Sequence, residues 1–186
     1  MIFRHFLVDV NESNTFLVAC EETREALLVD LGAWDPAIPA FLDGHGLQLK
    51  AIFITHDHYD HTDGLRDALA ERDPVVYSGK GCVGGVPGTR VAAGDTIAFG
   101  RLRGTVLPTP GHTPEGVSLA LPGMVFTGDA LFAGSVGGTS SPDSARLQLD
   151  HIRQHIFTLP GDWEVHTGHG PSSTVALERD ANPFFN

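Results

Sequence analysis

The most conspicuous shortage in this sequence is that of basic side chains. Its 186 residues include 12 lysines and arginines against 23 aspartates and glutamates, which gives a formal net charge of −11. Lys50 and Lys80 are the two lysines, and no run of basic residues occurs. Because a surface of this charge repels a phosphate backbone, the composition argues against a nucleic-acid partner.

Cysteines and long apolar runs are scarce as well. The two cysteines, Cys20 and Cys82, form no Cys-x-x-Cys motif, which excludes a disulfide-rich scaffold. No apolar stretch approaches the roughly 20 residues needed to cross a bilayer. Residues 1–6 lack the basic start and apolar core of a signal peptide. We therefore expect a cytoplasmic protein without a membrane partner.

The remaining composition is that of a globular protein. Hydrophobic residues make up 41% of the sequence and the mean hydropathy is near zero, which excludes a disordered chain. A chain of this length is able to bury one sizeable core, and neither an interior linker nor a fixed-period repeat interrupts it. We expect a single domain that spans residues 1–186.

Short β-prone runs alternate with stretches of helical periodicity. The run 51–55 is rich in β-branched and aromatic residues and predicts a buried strand, with helices at 36–45 before it and around Leu65, Ala68 and Leu69 after it. Further strands are predicted at 15–18, 26–29, 75–77, 89–92, 96–99, 102–107, 117–121, 124–127 and 165–167, and another helix opens at Pro142. This alternation is typical of an α/β fold.

A dense cluster of metal-binding side chains follows the apolar run 51–54. From Thr55 to His61 the sequence reads Thr-His-Asp-His-Tyr-Asp-His. Several imidazoles and carboxylates so close together are costly to bury unless a cation organises them. Neutral histidine nitrogens and aspartate oxygens are ligands that zinc and iron(II) accept.

Three later motifs carry the same kinds of side chain at predicted strand ends. His112 lies in Gly-His-Thr-Pro (111–114), Asp129 ends Thr-Gly-Asp (127–129), and His169 lies in Gly-His-Gly-Pro (168–171). In layered α/β folds the loops at one edge of a sheet bring such residues together. A single histidine of this kind is more often a satisfied surface residue than a ligand, but the complete set predicts a two-metal site.

The His-x-His-x-Asp-His motif of residues 56–61, with the three later motifs, resembles the metallo-β-lactamase superfamily and, within it, the glyoxalase II (hydroxyacylglutathione hydrolase) branch. The resemblance runs from Asn14-Thr15 through Asp30-Leu31-Gly32 to His169, over nearly the whole chain. It implies an α/β fold in four layers, the αβ/βα sandwich, in which two mixed β-sheets lie face to face with helices outside.

The resemblance also implies a ligand for each metal position. His56, His58 and His112 are expected to hold the first of two divalent metals, Asp60, His61 and His169 the second, and Asp129 is expected to bridge both. Zinc is the expected ion and iron the alternative. A hydroxide shared by the metals is the expected nucleophile, because zinc lowers the pKa of bound water toward about 7. Catalysis is assigned to the two carboxylates, Asp60 and Asp129.

Asp30 resembles a family position that supports the metal loop. A metal-bound histidine needs an acceptor for its other ring nitrogen, and a carboxylate is suited to that role. The alternative interpretation of Asp30 is a turn carboxylate at the end of a strand. The residues that bind the substrate are not identified by any motif.

Two departures from glyoxalase II concern its substrate. In related enzymes an arginine that follows the Asp129 motif engages glutathione, whereas Gly138 stands at that position here. Glycine has no guanidinium, so the bidentate recognition of a carboxylate is lost. The chain ends at residue 186, seventeen residues after His169, so we expect the C-terminal helical region of glyoxalase II to be missing. The expected partner is a small-molecule thioester or thiol conjugate, and glutathione is disfavoured as the thiol.

A second resemblance implies a different chemistry. Residues 94–100, 126–131 and 156–162 resemble the persulfide dioxygenase branch, which uses one iron(II) held by residues matching His56, His112 and Asp129. Two histidines and one carboxylate leave coordination positions open for oxygen and substrate. A metal-dependent thioester hydrolase is thus the leading expectation and a persulfide dioxygenase the alternative. A lactone or phosphoester hydrolase of the superfamily, or a non-catalytic metal-binding domain, also stays open.

Overall fold

A computed structural model describes residues 1–185 of the chain. In chain order the strands are β1 (Ile2–Val8), β2 (Ser13–Ala19), β3 (Glu25–Val29), β4 (Gln48–Ile54), β5 (Val75–Ser78), β6 (Cys82–Val83), β7 (Val86–Pro87), β8 (Thr89–Arg90), β9 (Thr96–Phe99), β10 (Leu102–Pro108), β11 (Val117–Leu121), β12 (Met124–Gly128), β13 (Leu131–Phe132), β14 (Ser135–Val136), β15 (Glu164–Thr167) and β16 (Ser173–Thr174). The helices are α1 (Ala37–Gly44), α2 (Tyr59–Thr62), α3 (Leu65–Glu71), α4 (Pro142–His151), which continues into a π-helical turn (Ile152–Ile156), and α5 (Val175–Ala181).

Twelve strands form two six-stranded sheets, and both sheets are mixed. The first has the order β1-β2-β3-β4-β5-β8, with antiparallel pairing up to β3 and parallel pairing beyond it. The second has the order β16-β15-β12-β11-β10-β9, and its β12–β15 pair is parallel whereas its other pairs are antiparallel. Two short ribbons, β6–β7 and β13–β14, lie outside these sheets.

Three apolar clusters stack these elements in four layers. One cluster lies between the two sheets and contains Phe53 of the first and Phe126 of the second. Helices α1 and α3 bury Ile38 and Leu65 against the outer face of the first sheet. The turn after α4 buries Ile156 with residues of the second sheet. The expected αβ/βα sandwich is therefore confirmed.

Strand β4 connects this layering to the histidine motif. Its Ile52 and Ile54 belong to the cluster under the helices, whereas Ala51 and Phe53 belong to the cluster between the sheets. Since successive side chains of a strand point to opposite faces, a strand covered on both faces is apolar throughout. The strand predicted at 51–55 is observed at Gln48–Ile54 and ends just before the motif.

Three local features were not predicted from the sequence. Strand β1 was not predicted, because this edge strand exposes residues such as Leu7 and lacks a regular alternation of buried and exposed side chains. Helix α5 follows β16 and is capped by Thr174, whose hydroxyl accepts a hydrogen bond from the backbone N–H of Leu177 at 3.3 Å. The glycine-rich stretch 78–88, which reads as a loop, contains the ribbon β6–β7.

Within residues 1–185, none of the helices combines the length and the apolar character that a membrane span requires.

Candidate metal centre

The seven predicted ligands follow strands of both sheets and converge. The motif His56–His61 follows β4 of the first sheet, whereas His112, Asp129 and His169 follow β10, β12 and β15 of the second. Three groups have ligand atoms within 4.8 Å of one another: His56, His58 and His112; His56, His61 and Asp129; and Asp60, His61 and His169. Residues separated by more than a hundred positions in sequence thus form one cluster.

The first group has the spacing of ligands around one cation. Nδ1 of His58 lies 3.0 Å from Nε2 of His56 and 3.1 Å from Nε2 of His112. Tetrahedral zinc with Zn–N bonds of 2.0–2.1 Å would place neighbouring nitrogens about 3.3 Å apart. The three nitrogens therefore need little movement to share a cation.

The second group meets the first at Asp129. Nε2 of His169 lies 3.4 Å from Oδ2 of Asp60 and 3.6 Å from Oδ2 of Asp129. The same Asp129 oxygen lies 3.7 Å from Nε2 of His112 and 4.0 Å from Nε2 of His56. One carboxylate thus faces histidines of both groups, which is the position of a bridging ligand.

Asp30 fixes the orientation of two of the histidines. It is 2% exposed, and its Oδ2 accepts hydrogen bonds from Nδ1 of His61 at 2.9 Å and from Oγ1 of Thr55 at 2.8 Å. Because the Thr55 hydroxyl proton is used on Asp30, its oxygen accepts from Nδ1 of His56 at 3.0 Å. Both imidazoles then carry a proton on Nδ1 and direct Nε2 toward the cluster.

A backbone carbonyl does the same for His112. Nδ1 of His112 lies 2.6 Å from the carbonyl oxygen of Gly138. A carbonyl only accepts, so Nδ1 is the donor and Nε2 keeps its lone pair in the neutral ring. Gly138 therefore contributes its backbone carbonyl to the site, at the position where related enzymes carry an arginine.

The protonation of the cluster reflects burial and neighbouring charges. Burial, followed by the charge of His61, lowers the pKa of His56 to about 2, so that ring is neutral and able to act as a ligand. Burial opposes a charge on His61 too, but Asp30 and Asp129 outweigh it and raise the pKa of His61 to about 10. Against the effect of its own burial, the adjacent imidazole of His61 and the positive charges around it lower the pKa of Asp129 to about 2. The carboxylates thus make the cluster attractive to positive charge.

Two buried polar atoms support the fit to a cation. Nε2 of His61 and Oδ1 of Asp129 lie 3.4 Å apart, yet neither has an aligned hydrogen-bond partner among the residues that the structure describes. Buried polar atoms without partners are rare because their desolvation is uncompensated. A divalent cation is a suitable partner for both, since imidazole and carboxylate are its ordinary ligands. The cluster therefore fits a divalent metal.

Several supporting residues were missed by the sequence motifs. Nδ2 of Asn11 donates to Oδ2 of Asp60 at 3.0 Å, and Oγ of Ser13 donates to the Asp60 carbonyl at 2.7 Å. Nδ2 of Asn14 donates to the Thr167 carbonyl at 2.9 Å, close to His169. The polar run 11–14 is the only local signal, and it reads equally as a surface turn.

A four-layer αβ/βα sandwich with a histidine–aspartate cluster at its strand ends defines a class of metalloproteins. The family model described as the metallo-beta-lactamase superfamily matches residues 8–81 and 77–169. The chain belongs to the metallo-β-lactamase superfamily.

Relatives with different activities resemble this chain to a similar degree. A probable metallo-hydrolase of Streptococcus pyogenes serotype M6 is 35% identical, over 93% of this chain and 85% of the relative. The hydroxyacylglutathione hydrolase of Gloeobacter violaceus is 34% identical over 89% of this chain and 66% of its own length. The human mitochondrial persulfide dioxygenase ETHE1 is 34% identical over 98% of this chain and 75% of its own length. The chain thus spans just under two thirds of that hydroxyacylglutathione hydrolase.

Solved structures confirm the fold. The crystal structure of ETHE1 from Myxococcus xanthus superposes with a TM-score of 0.85 at 30% identity, and covers 98% of this chain and 84% of that chain. A structure determined in a di-iron-bound form has a TM-score of 0.83 at 28% identity, over 97% of this chain and 99% of that chain. Iron is therefore among the metals that proteins of this fold bind.

Proposed function

We propose that the protein is a dinuclear metal-dependent hydrolase that cleaves small-molecule thioesters. The observation that carries this proposal is the position of Asp129, whose Oδ2 lies 3.7 Å from Nε2 of His112 and 3.6 Å from Nε2 of His169. A carboxylate between two ligand groups is able to bridge two metals at the separation of about 3.5–4 Å found in two-metal sites. The similarity to hydroxyacylglutathione hydrolase supports the thioester as the substrate class.

The proposed ligands fall into two groups with one shared member. His56, His58 and His112 would hold one metal, Asp60, His61 and His169 the other, and Asp129 both. When bound, such metals supply an activated water near neutral pH and polarise the carbonyl that it attacks. We favour zinc, with iron as the alternative.

The chain's own groups prepare this site. The low pKa of Asp129, about 2, keeps its carboxylate ionised at neutral pH. The hydrogen bonds from Nδ1 of His61 to Asp30 and from Nδ1 of His112 to Gly138 direct both Nε2 atoms inward. Nδ2 of Asn11 donates to Oδ2 of Asp60 at 3.0 Å and holds this carboxylate beside His169. Asp60 and Asp129 are the proposed catalytic carboxylates.

The surroundings of Gly138 support a substrate other than a glutathione thioester. A cavity of about 230 Å³ adjoins this residue and is lined by Val136, Leu149 and Phe184 among others. No charged side chain is among its lining residues, so the free carboxylates of glutathione would have no cation to pair with there. A thioester with an apolar group suits this side of the site better.

Persulfide dioxygenase activity is the second candidate, favoured by 34% identity to the human enzyme over 98% of this chain. The two histidines and one carboxylate would be His56, His112 and Asp129. Oδ2 of Asp129 lies 4.0 Å from Nε2 of His56 and 3.7 Å from Nε2 of His112. That ligand set is typical of mononuclear iron(II) enzymes.

Metal analysis combined with two assays separates these candidates. The protein would be purified without added metal and tested on thioesters of glutathione and of N-acetylcysteamine that share one acyl group. Oxygen uptake would be followed with glutathione persulfide. We expect two metals per chain, thioester hydrolysis and no oxygen uptake.

One iron per chain with persulfide-dependent oxygen consumption would contradict the hydrolase and establish the second candidate. A lactone and a phosphoester would be assayed beside the thioesters, and preference for either would retain the metal-dependent hydrolase and overturn the thioester as the substrate class. Metal binding without turnover of any of these compounds would indicate a non-catalytic metal-binding domain.

A further inference from the structure

The buried residue of helix α4 is a glutamine. Gln148 is 1% exposed, whereas the adjacent Leu147 is 45% exposed. Gln148 precedes the buried Ile152 and Ile156 by four and eight residues, so the three lie on one face. An amide at such a core position costs free energy unless hydrogen bonds compensate for its desolvation. Its partners therefore explain why it is there.

The two amide protons of Gln148 reach the loop that carries Asp129 and the segment that contacts His112. Nε2 donates to the carbonyl of Ala130 at 2.9 Å and to the carbonyl of Gly137 at 3.1 Å. Ala130 directly follows Asp129. Gly137 directly precedes Gly138, whose carbonyl accepts the hydrogen bond from His112. One side chain thus joins the backbone that follows Asp129 to the backbone segment that holds the ring of His112.

The backbone around this amide is packed too closely for side chains. A Cβ added to Gly137 would lie 1.8 Å from the carbonyl oxygen of Asp129 and 3.1 Å from Nδ1 of His112. A Cβ added to Gly111 would lie 2.3 Å from Cβ of Gln148. Such approaches allow only glycine. The loops of His112, Asp129 and Gly138 therefore meet at Gln148, and a shift of one is transmitted to the others.

We propose that Gln148 is a positioning residue for the metal site. Its amide holds the segment 137–138 against the segment 129–130, and this places the Gly138 carbonyl where it fixes the ring of His112. In this scheme Gln148 is not a metal ligand and acts through the backbone carbonyls that it holds. The inference rests on the proposed ligand roles of His112 and Asp129.

Zinc affinity is the direct measurement. Gln148→Met keeps an unbranched side chain of similar volume but removes both donors, and Gln148→Glu replaces the donors with an oxygen. The exposed Gln154 on the same helical segment gives the control, Gln154→Met. Zinc affinity would be measured by competition with a chromophoric chelator, and the Nδ1–H signal of His112 by NMR of zinc-loaded protein.

Both Gln148 variants should lose about tenfold to a hundredfold in zinc affinity, the range found when groups that orient metal ligands are removed. The Nδ1–H signal of His112 should shift or broaden, while that of His61 on Asp30 stays. Gln154→Met should match the wild type in both measurements. A residue that only fills the core would leave zinc affinity unchanged when methionine replaces it.

Wild-type zinc affinity and an unchanged His112 signal in folded Gln148→Met would overturn the proposal. Failure of both variants to fold, judged by circular dichroism, would assign Gln148 to the core and overturn it equally. The measurement does not depend on the reaction. A wild-type protein that binds zinc but leaves thioesters intact would contradict the proposed function alone.

Discussion

The carboxylate of Asp30 accepts a hydrogen bond from Nδ1 of His61 at 2.9 Å, and this buried pair orients a predicted ligand from outside the cluster. Asp30 also accepts from the backbone N–H of Thr55 at 2.8 Å and has a positive φ of 54°. It therefore combines a backbone function at the end of β3 with an electrostatic function at the site.

Asp30→Asn tests the electrostatic function. Asparagine tolerates the positive φ and still accepts from Thr55, but its amide nitrogen would face the proton of His61. We expect zinc affinity to fall about tenfold to a hundredfold. Competition with a chelator measures this, and Asp63→Asn, an exposed neighbour of the motif, is the matched control. Equal zinc affinity in the two variants would show that Asp30 acts only as a turn carboxylate.

Asp129→Ala tests the shared ligand. Loss of the one carboxylate between the two groups should remove metal from both. Activity should fall by at least about a hundredfold, because the loss of a ligand costs more than the tenfold to hundredfold lost with a group that only orients a ligand. Elemental analysis and the thioester assay would be made on the same preparation. Asp162→Ala, at an exposed position, should change neither quantity. An active and fully metallated Asp129→Ala protein would mean that the site is assigned to the wrong residues.

Gly138→Arg tests the explanation for glutathione. A Cβ at this position meets no atom within 4 Å, so a side chain can be added without displacing the backbone. The new guanidinium should lower the KM for a glutathione thioester about twofold to fivefold, in line with the ~0.5–1 kcal/mol of an exposed ion pair, and leave kcat nearly unchanged. Gly138→Ala controls for the added carbon. The same KM in both variants would exclude this position from thiol recognition.

His166 predicts a pH dependence of stability outside the metal cluster. Burial, and then the charge of His5, lowers the pKa of His166 to about 4. Since an unfolded histidine has a pKa near 6.5, the unfolded chain binds the additional proton first as the pH falls. The stabilisation is thus complete above about pH 6.5 and is lost toward pH 4, by up to about 3 kcal/mol.

The measurement is urea unfolding of metal-free wild type and His166→Phe between pH 4 and 7.5. Phenylalanine preserves the ring among Phe3, Phe16 and Phe126 but does not titrate. The stability difference between the two proteins should grow as the pH falls, because other histidines contribute equally to both. A difference that is independent of pH would contradict the shift.

Strongly patterned segments made much of this fold predictable. The apolar run 51–54 is covered by a layer on each side, and the apolar stripe of Ile152 and Ile156 faces a sheet. The apolar composition of both segments predicts their burial. Strand β1 was missed because an edge strand with exposed residues has no such pattern. The π-helical turn Ile152–Ile156 has a helical sequence, and only packing selects its wider hydrogen bonding.

The site divides in the same way. Histidines and aspartates beside glycine, at strand ends, are visible as motifs, and the structure brings all seven together. Gln148 has no local signal, and the polar run that contains Asn14 does not reveal its contact with Thr167, which spans 153 positions. Their function depends on residues that become neighbours only in the folded chain. The pattern of a single sequence does not show these contacts.

The predicted ligands follow strands of both sheets, so metal binding is coupled to the folding of the whole domain. Each metal group takes members from both halves of the chain, so a fragment that carries only one sheet has no complete group. Metal bound only to the native state adds RT ln(1 + [L]/Kd) of stability, about 2.7 kcal/mol at a hundredfold excess over Kd. The folded fraction should then follow the free metal concentration, and a chelator should shorten the lifetime of the protein as well as stop the proposed reaction.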